Sequence, residues 1–247
     1  MPQLTGLTDV HCHLLPYVDD GADNLDEALQ LVAMQAQQGV SALYCTPHLR
    51  AGMFETSQEK VDRQFERLRQ AAAALPGAPQ LYPGRENHCD KTLLDNLRTG
   101  QARTLGGGNW LLIEYSSRHS RREVLRYLQA VLDAGYRPVI AHVERYPCIT
   151  QDLGLARLLA EQGAWLQVNA AAVMGREGLR TRWFCHSLLK QDLVHLIASD
   201  AHHVDIRTPN LGECARFLSR RLPQEQFSRI FYDNPACLAG LPADAAL

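Results

Sequence analysis

Seven short apolar runs alternate with amphipathic stretches along this sequence, and that alternation limits the fold more than any other feature. Several runs are continuously apolar, as in Trp110–Ile113 and Pro138–Ala141, which is typical of parallel strands buried on both faces. Strand–helix alternation within one domain favours a parallel (β/α) barrel, with an open doubly wound sheet as the alternative. The predicted strands are residues 7–12, 40–46, 79–86, 110–115, 137–142, 164–169 and 194–199.

Capping signals and apolar periodicity predict the helices between these strands. Asn24 and Glu27 cap one helix, and Thr56 and Glu59 fit a capping box for the next. Further helices are predicted over residues 120–134, 152–162, 180–190 and 210–220.

Length and composition place the chain among globular proteins. It has 247 residues, 46% of them hydrophobic, and a formal net charge of −2, so we expect one domain over residues 1–247. Near-neutral charge predicts no nucleic-acid surface, and no run approaches the ~18 apolar residues of a membrane span. The seven cysteines form no CxxC pair and the start lacks signal-peptide features. Free thiols in the cytoplasm are therefore expected.

Imidazole and carboxylate side chains stand where six of the seven predicted strands end. The carboxyl ends of barrel strands meet at one face, where the chemistry of such folds is placed. Burying these groups together without a cation would cost several kcal/mol for each unpaired charge, so we predict a metal cluster. The side chains in question are His11, His13, His48, Glu86, Glu114, His142, Asp200 and His202.

The spacing within each motif supports a shared site. His11 and His13 point the same way from their strand, as do Asp200 and His202. Mixed nitrogen and carboxylate ligands suit Mn²⁺, Fe²⁺ or Zn²⁺. The number of ligands exceeds the needs of one ion, which favours two or three ions bridged by a carboxylate such as Glu86.

Five segments resemble the polymerase and histidinol phosphatase (PHP) superfamily. More narrowly, they resemble the metal-dependent protein tyrosine phosphatases of bacterial capsule and exopolysaccharide operons. The HxH and the closing DxH are shared across the superfamily, whereas the DDG segment, GMFET, AHxERY and IASDxH are specific to the tyrosine phosphatase branch. The resemblance runs from about residue 8 to residue 237 along the segments DVHCHLLPYVDDGADN, CTPHLRAGMFET, PVIAHVERY, LVHLIASDAHHVDIR and FYDNP.

This resemblance implies a distorted seven-stranded (β/α) TIM-like barrel, the PHP fold, with a trinuclear centre that usually holds Mn²⁺. By position, His11, His13 and Asp200 would hold the first ion, and Glu86 would bridge it to the second. The segment Arg85–His88 around Glu86 differs from the usual family pattern, and His88 is an alternative to Glu86 as the metal ligand.

The remaining ligand positions are also filled. Glu114 and His142 would complete the second ion, and Asp20, His48 and His202 would hold the third. From the residues alone Asp20 fits a turn or helix start, and it is the resemblance that assigns it to the metal. The neighbouring Asp19 and Asp23 keep the turn interpretation.

The implied activity is hydrolysis of phosphotyrosine by a metal-bridging hydroxide. Arg145 and Arg207 match the two phosphate-contacting arginines of the family, a task that suits the guanidinium group. The implied substrate is the tail of an autophosphorylating bacterial tyrosine kinase that controls polysaccharide export. Loops 49–55 and 170–182 would form the rim of the cleft, and His203 is one option for the proton donor.

Other functions remain open at this point. A histidinol-phosphate or other small-molecule phosphomonoesterase, or a nuclease-like PHP protein, would keep the same site. An amidohydrolase typically needs a lysine on the fourth strand, where this chain has Glu114. A metal-bearing scaffold without turnover is the non-enzymatic alternative. The sequence leaves the oligomeric state and the kinase undetermined.

Overall fold

The computed structural model describes residues 4–238, so both ends of the predicted domain 1–247 lie outside the described residues. The strands are β1 (Leu7–Cys12), β2 (Val40–Cys45), β3 (His48–Leu49), β4 (Gln80–Pro83), β5 (Glu86–His88), β6 (Trp110–Glu114), β7 (Arg137–Ile140), β8 (Trp165–Asn169) and β9 (Leu196–Ala198). The helices are α1 (Leu25–Gln37), α2 (Gln58–Ala72), α3 (Leu93–Arg98), α4 (Arg121–Asp133), α5 (Pro147–Thr150), α6 (Leu153–Glu161), α7 (Ala170–Met174), α8 (Leu179–Lys190), α9 (Leu211–Leu218), α10 (Gln224–Ser228) and α11 (Asn234–Leu238).

Every pair of neighbouring strands within residues 4–238 is parallel. One sheet has the order β1-β2-β4 and the other has the order β3-β5-β6-β7-β8-β9. Beyond the strand ends, Asp200 N donates to His11 O at 2.9 Å and His13 N donates to Ala201 O at 2.8 Å. The sheet therefore curls until the end of β9 lies against the end of β1.

One predicted strand is interrupted, and another is followed after a short break by an additional strand. The predicted strand 79–86 divides into β4 and β5 at Gly84–Arg85, and β3 was not predicted. Backbone hydrogen bonds continue across both gaps, because Gly84 N donates to Cys45 O at 3.0 Å and Glu86 N donates to Pro47 O at 3.1 Å. Pro47 has no N–H to donate, which explains the break between β2 and β3.

The predicted helices are present, with one correction at a helix start. Asn24 Oδ1 accepts from Glu27 N at 3.0 Å, as predicted for α1. The capping box assigned to Thr56 is wrong, since Ser57 is the N-cap of α2 and accepts from Lys60 N. The Thr56 hydroxyl instead donates to Val18 O at 2.6 Å.

Two apolar clusters pack the two faces of the curled sheet. Leu111 and Ile113 pack with the helices in the larger cluster, whereas Trp110 and Leu112 belong to a smaller cluster made mainly of strand residues. Glu114 lies two residues beyond Leu112, on the same face of β6. The smaller cluster therefore lies directly below the polar residues at the carboxyl ends of the strands.

The structure confirms an α/β single domain built on a curled parallel sheet. All seven cysteines are free thiols, as predicted. Within residues 4–238, the helices lack the combination of length and apolar character that a bilayer crossing requires.

Candidate metal centre

Glu86 lies at the middle of a buried group of histidines at the carboxyl ends of the strands. Its Oε1 atom is 2.7 Å from His142 Nε2. Its Oε2 atom is 3.2 Å from His11 Nε2, 3.3 Å from His13 Nε2 and 2.9 Å from His48 Nδ1. One carboxylate thus contacts histidines from the end of β1, from β3 and from the loop after β7.

Asp200 follows β9 and approaches the same histidines from the other side. Its Oδ1 atom is 3.6 Å from His11 Nε2 and 3.5 Å from His13 Nε2. Its Oδ2 atom accepts from Asn169 Nδ2 at 2.9 Å and from Arg207 Nη2 at 2.6 Å, and Arg145 Nη2 is 2.9 Å away. The amide and guanidinium donors thus all contact Oδ2, whereas Oδ1 faces the imidazoles of His11 and His13.

The outer part of the cluster contains Asp20, whose side chain is half exposed. Asp20 Oδ1 is 3.6 Å from both His48 Nε2 and His202 Nε2. Glu114 Oε1 lies 3.8 Å from His48 Nδ1, and it also contacts His88 Nδ1 at 3.1 Å. His88 belongs to none of the potential ligand groups within residues 4–238, whereas Glu86 belongs to two.

All nine predicted ligands fall into groups whose ligand atoms lie within 4.8 Å of one another. These groups are His11–His13–Asp200, His11–Glu86–His142, His48–Glu86–Glu114 and His13–Asp20–His48–His202. Four buried atoms of these groups have no hydrogen-bond partner within residues 4–238, namely His48 Nδ1, Glu86 Oε2, Asp200 Oδ1 and His202 Nε2. Buried lone pairs without a partner are costly, and divalent cations would satisfy all four. The residues therefore fit a metal centre.

Burial and the charges within the cluster shift the pKa values of its carboxyl and imidazole groups. Burial by itself would raise the pKa of Glu86, but the charges of His11, His48 and His142 hold that pKa well below its usual value. Burial, together with the nearby charge of His13, lowers the pKa of His202 to about 2. Ionised carboxylates and neutral imidazoles are the forms in which these side chains bind metals.

Asp19 has a larger role than the turn predicted for it. Its Oδ2 atom accepts from His48 N at 2.8 Å and lies 2.7 Å from His13 Nδ1. Burial alone would lower the pKa of His13, but Asp19 raises it to about 10. Glycine at position 21 allows the loop that carries Asp19 to pack against the backbone of His13, because a Cβ atom at that position would lie 2.0 Å from His13 O. Asp19 thus orients one face of His13 and leaves Nε2 to the cluster.

Gln167 is a second residue that sequence reasoning missed. Its Oε1 atom accepts from His142 N at 2.9 Å and lies 3.1 Å from His11 Nδ1. Its Nε2 atom donates to Asn169 Oδ1 at 2.9 Å, and Asn169 in turn donates to Asp200. The alternate spacing of Gln167 and Asn169 on β8 was the available signal, since both side chains point to the same face.

Backbone strain is concentrated at this site. Five non-glycine residues within 4–238 have positive φ, and three of them are His142 at 33°, Asp200 at 52° and Arg207 at 52°. Such backbone conformations are uncommon for residues with a Cβ atom and tend to occur at functional sites. The hydrogen bonds of Gln167 and Asn169 help to stabilise these backbone conformations at His142 and Asp200.

The two predicted phosphate-binding arginines lie together beside the cluster. Both guanidinium groups contact Asp200, and their side chains remain 36% and 35% exposed for Arg145 and Arg207. Each guanidinium has five N–H donors, so contact with one carboxylate oxygen leaves donors for a further anion. The arrangement can therefore hold an anion over the cluster.

Residues of the predicted rim loop 49–55 and the predicted proton donor His203 contact other residues of the chain. Phe54 stacks on His48 with ring centroids 4.8 Å apart, so it supports that histidine, while Met53 beside it is exposed. His203 Nδ1 lies 3.1 Å from Glu27 Oε1, which places this ring in contact with α1.

A curled parallel sheet with histidines and carboxylates gathered at its carboxyl end is typical of metal-dependent hydrolases with barrel folds. Comparison with known families narrows this class. The profile of the capsular polysaccharide synthesis CpsB/CapC family matches residues 7–239, and the chain belongs to that family.

Individual relatives agree with this membership. Tyrosine-protein phosphatase CpsB of Streptococcus pneumoniae is 31% identical over 238 residues, which cover 93% of this chain and 96% of that protein. Tyrosine-protein phosphatase YwqE of Bacillus subtilis is 28% identical and the match covers 89% of this chain and 86% of that protein. A crystal structure from work on YwqE and CpsB, described there as unique metal-dependent tyrosine phosphatases, matches with a TM-score of 0.88 at 26% identity over 95% of this chain and 94% of that one.

More distant likeness concerns the fold alone. The phosphotriesterase homology protein of Escherichia coli matches with a TM-score of 0.60 at 11% identity, covering 97% of this chain and all of that one. A D-hydantoinase matches with a TM-score of 0.58 at 12% identity over 94% of this chain and 70% of that one. The same architecture thus occurs among other hydrolases, and the family membership is what distinguishes this chain from them.

Proposed function

We propose that this protein is a metal-dependent protein tyrosine phosphatase that hydrolyses phosphotyrosine in protein substrates. The observation that carries the proposal is the cluster of buried, unpartnered ligand atoms directly beside two partly exposed arginines. Its relatives are named tyrosine-protein phosphatases, and their matches cover 89–95% of this chain. The small-molecule and amidohydrolase alternatives have no comparable support.

The ligand groups support an assignment to two or three ions. His11, His13 and Asp200 would hold the first ion, and Glu86 would bridge it to the second. The second ion would be completed by Glu114 and His142, which lie in two separate groups that share Glu86, and the third would be held by Asp20, His48 and His202. Mixed imidazole and carboxylate ligands suit Mn²⁺, Fe²⁺ or Zn²⁺, and the resemblance to metal-dependent tyrosine phosphatases favours Mn²⁺. Bound ions would supply positive charge that polarises the phosphoryl group and makes water a stronger nucleophile.

Arg145 and Arg207 would bind and orient the phosphoryl group. The contacts of both guanidinium groups with Asp200 fix their direction, and their remaining N–H groups would donate to the non-bridging oxygens of the phosphate. Charge that develops on these oxygens during hydrolysis would be stabilised by the same donors.

We also propose that the architecture is a distorted seven-stranded barrel of the PHP type that forms one domain over residues 1–247. If β2 with β3 and β4 with β5 are each counted as one interrupted strand, seven strands remain. The hydrogen bonds of Asp200 and His13 across the β9–β1 junction support closure.

The substrate we propose is the tail of a bacterial tyrosine kinase that regulates polysaccharide synthesis, in keeping with the family to which the chain belongs. A cytoplasmic location accords with seven free cysteines, since thiols persist in a reducing compartment. Neither nucleic-acid binding nor membrane insertion is part of the proposal.

The first test is the initial rate on a phosphotyrosine peptide and on histidinol phosphate, each with Mn²⁺ and with chelator. We expect chelator-sensitive turnover that favours the peptide. Arg145→Ala and Arg207→Ala should each lower kcat/KM by about 100-fold, the scale for loss of a donor to a developing charge. Arg122→Ala, at an exposed arginine of α4, is the control. Turnover restricted to histidinol phosphate would refute the substrate class, and turnover that persists without metal would refute the mechanism.

A further inference from the structure

A cavity of about 500 Å³ lies outside the ligand groups described above, and Glu144, the residue before Arg145, lines it. It lies between the segment that follows β7, which contributes Glu144, Thr150 and Gln151, and helix α8, which contributes Arg180 and Trp183. Both segments follow the carboxyl ends of strands, so the cavity is on the same face of the fold as the metal centre.

Arg180 places a guanidinium group at this cavity that forms no ion pair within residues 4–238. Three arginines lie close together at the start of α8. Arg176 is paired with Glu213 at 2.6 Å, and the guanidinium of Arg182 lies 5.7 Å from the centre of the Phe217 ring. Arg180 forms no hydrogen bond or ion pair in the described part of the chain. An arginine that lines a cavity and forms no ion pair of its own can pair with an acidic group of a ligand.

Glu144 provides an unpartnered acceptor in the same cavity. The residue is only 6% exposed. Its Oε1 atom accepts from Asn169 N at 2.9 Å, whereas Oε2 is buried without a hydrogen-bond partner within residues 4–238. Because a buried carboxyl oxygen without a hydrogen-bond partner is costly, this atom favours a ligand that brings a hydrogen-bonding group, as a peptide backbone does.

Trp183 adds an apolar surface at the cavity. Its side chain is 64% exposed, and Leu179, one helical turn earlier, is 80% exposed. Exposed tryptophan is uncommon on a free surface and frequent where another chain binds. The cavity thus combines an arginine without an ion pair, a carboxyl oxygen without a hydrogen-bond partner and an apolar surface.

We propose that this cavity binds the residues that flank phosphotyrosine in a protein substrate, with an acidic side chain paired to Arg180. The inference rests on the proposed function and extends it to substrate choice. Arg145 Nη2 lies 3.9 Å from Glu177 Oε1, and Glu177 is three residues before Arg180 in the chain. Because an extended peptide advances about 3.3 Å per residue, we expect a position a few residues from the phosphotyrosine to reach Arg180 while the phosphate contacts Arg145.

The test compares phosphotyrosine peptides that differ only in their flanking positions, which carry aspartate, alanine or lysine. For the Mn²⁺-loaded protein we expect kcat/KM for the aspartate peptide to exceed that for the lysine peptide by at least about 3-fold, the scale of a partly exposed ion pair. Arg180→Glu should invert this ratio. Arg182→Glu introduces the same charge change beside the cavity and should retain the ratio of the unmodified protein. Trp183→Ala should raise KM for all three peptides.

Use of a ratio within each variant removes general effects on folding and metal loading. Equal kcat/KM for the three peptides, or an unchanged ratio in Arg180→Glu, would overturn the inference while the proposed phosphatase activity stands. Absence of turnover on every peptide and on p-nitrophenyl phosphate in the metal-loaded protein would overturn the proposed function, and this inference with it.

Discussion

Gln167 shows how a residue that is not a ligand can determine the geometry of ligands. Its single carbonyl oxygen lies within hydrogen-bond distance of His11 Nδ1 and of His142 N. Since this oxygen can only accept, it favours the tautomer of His11 that carries the proton on Nδ1 and presents the lone pair of Nε2 to the cluster.

Replacement of Gln167 should therefore weaken metal binding. We expect Gln167→Leu to raise the Kd for Mn²⁺ by about 10- to 100-fold, the range found when groups that orient metal ligands are removed. Calorimetric titration of the metal-free protein with Mn²⁺ measures this directly. Gln162→Leu, at an exposed glutamine, is the control. An unchanged Kd in Gln167→Leu would show that the hydrogen bonds of Gln167 do not orient the ligands.

The ligand types were predictable residue by residue, whereas their supporting partners were not. His11, His13 and Asp200 stand at predicted strand ends, and alternation along a strand indicates which way they point. The partner of His11 is 156 positions away in the chain, and only the curled sheet brings the two together. Asp19 was interpreted as a turn residue for the same reason, since its contact with the backbone of His48 depends on how two loops pack.

At the scale of elements, Arg85 lies between β4 and β5 and connects several neighbouring segments through hydrogen bonds. Its guanidinium is fully buried and donates to Thr56 O at 2.6 Å and to Gln101 O at 2.9 Å. It also donates to Gln58 Oε1 at 3.1 Å and to His48 O at 3.3 Å. One side chain thus connects the start of α2, the loop before β6 and the strand that carries His48.

Loss of this side chain should destabilise the whole domain. We expect Arg85→Leu to lower the free energy of unfolding by about 3 kcal/mol, because several buried acceptors would lose their donor. Urea unfolding followed by circular dichroism gives this value. Arg67→Leu replaces an exposed arginine of α2 and should change it by less than about 0.5 kcal/mol. Equal effects of the two substitutions would contradict the structural role of Arg85.

Element positions were easier to predict than their irregularities. Apolar runs such as Trp110–Glu114 identify strands because both faces are buried. The break at Gly84–Arg85 was hidden, since a sequence pattern does not reveal that an arginine side chain will be buried there. At α2, two adjacent hydroxyl residues could each cap the helix, and the bond from Thr56 to Val18 O leaves Ser57 as the cap.

At the scale of the whole molecule, His195 links stability to pH away from the metal centre. Burial lowers the pKa of His195 below its usual value of 6.5, and its Nδ1 atom accepts from Leu166 N at 3.1 Å. The unfolded chain therefore binds a proton at this position more readily than the folded protein. The stabilisation is complete above pH 6.5 and is lost as the pH falls towards the folded pKa.

We expect the free energy of unfolding to fall between pH 7.5 and pH 5.5 by about 1 kcal/mol more in the unmodified protein than in His195→Gln. Glutamine keeps an acceptor for Leu166 N but does not titrate. Urea titrations at both pH values, in the presence of chelator, separate this effect from metal loss. The same pH dependence in both proteins would show that His195 does not contribute.

Metal binding should stabilise the entire fold, because the ligands come from strands at both ends of the chain. His11 and His13 lie at the end of β1, and Asp200 follows β9. A ligand at about 100 times its Kd stabilises the folded state by about 2.7 kcal/mol, and a domain of this size gains about 2–4 °C in Tm per kcal/mol. We therefore expect saturating Mn²⁺ to raise the Tm of the chelator-treated protein by about 5–11 °C in calorimetry. The Asp200→Asn variant should lose most of this rise in Tm, because the amide lacks the charge that binds the cation. An equal Tm of the unmodified protein with Mn²⁺ and with chelator would contradict a metal centre that joins β1 to β9.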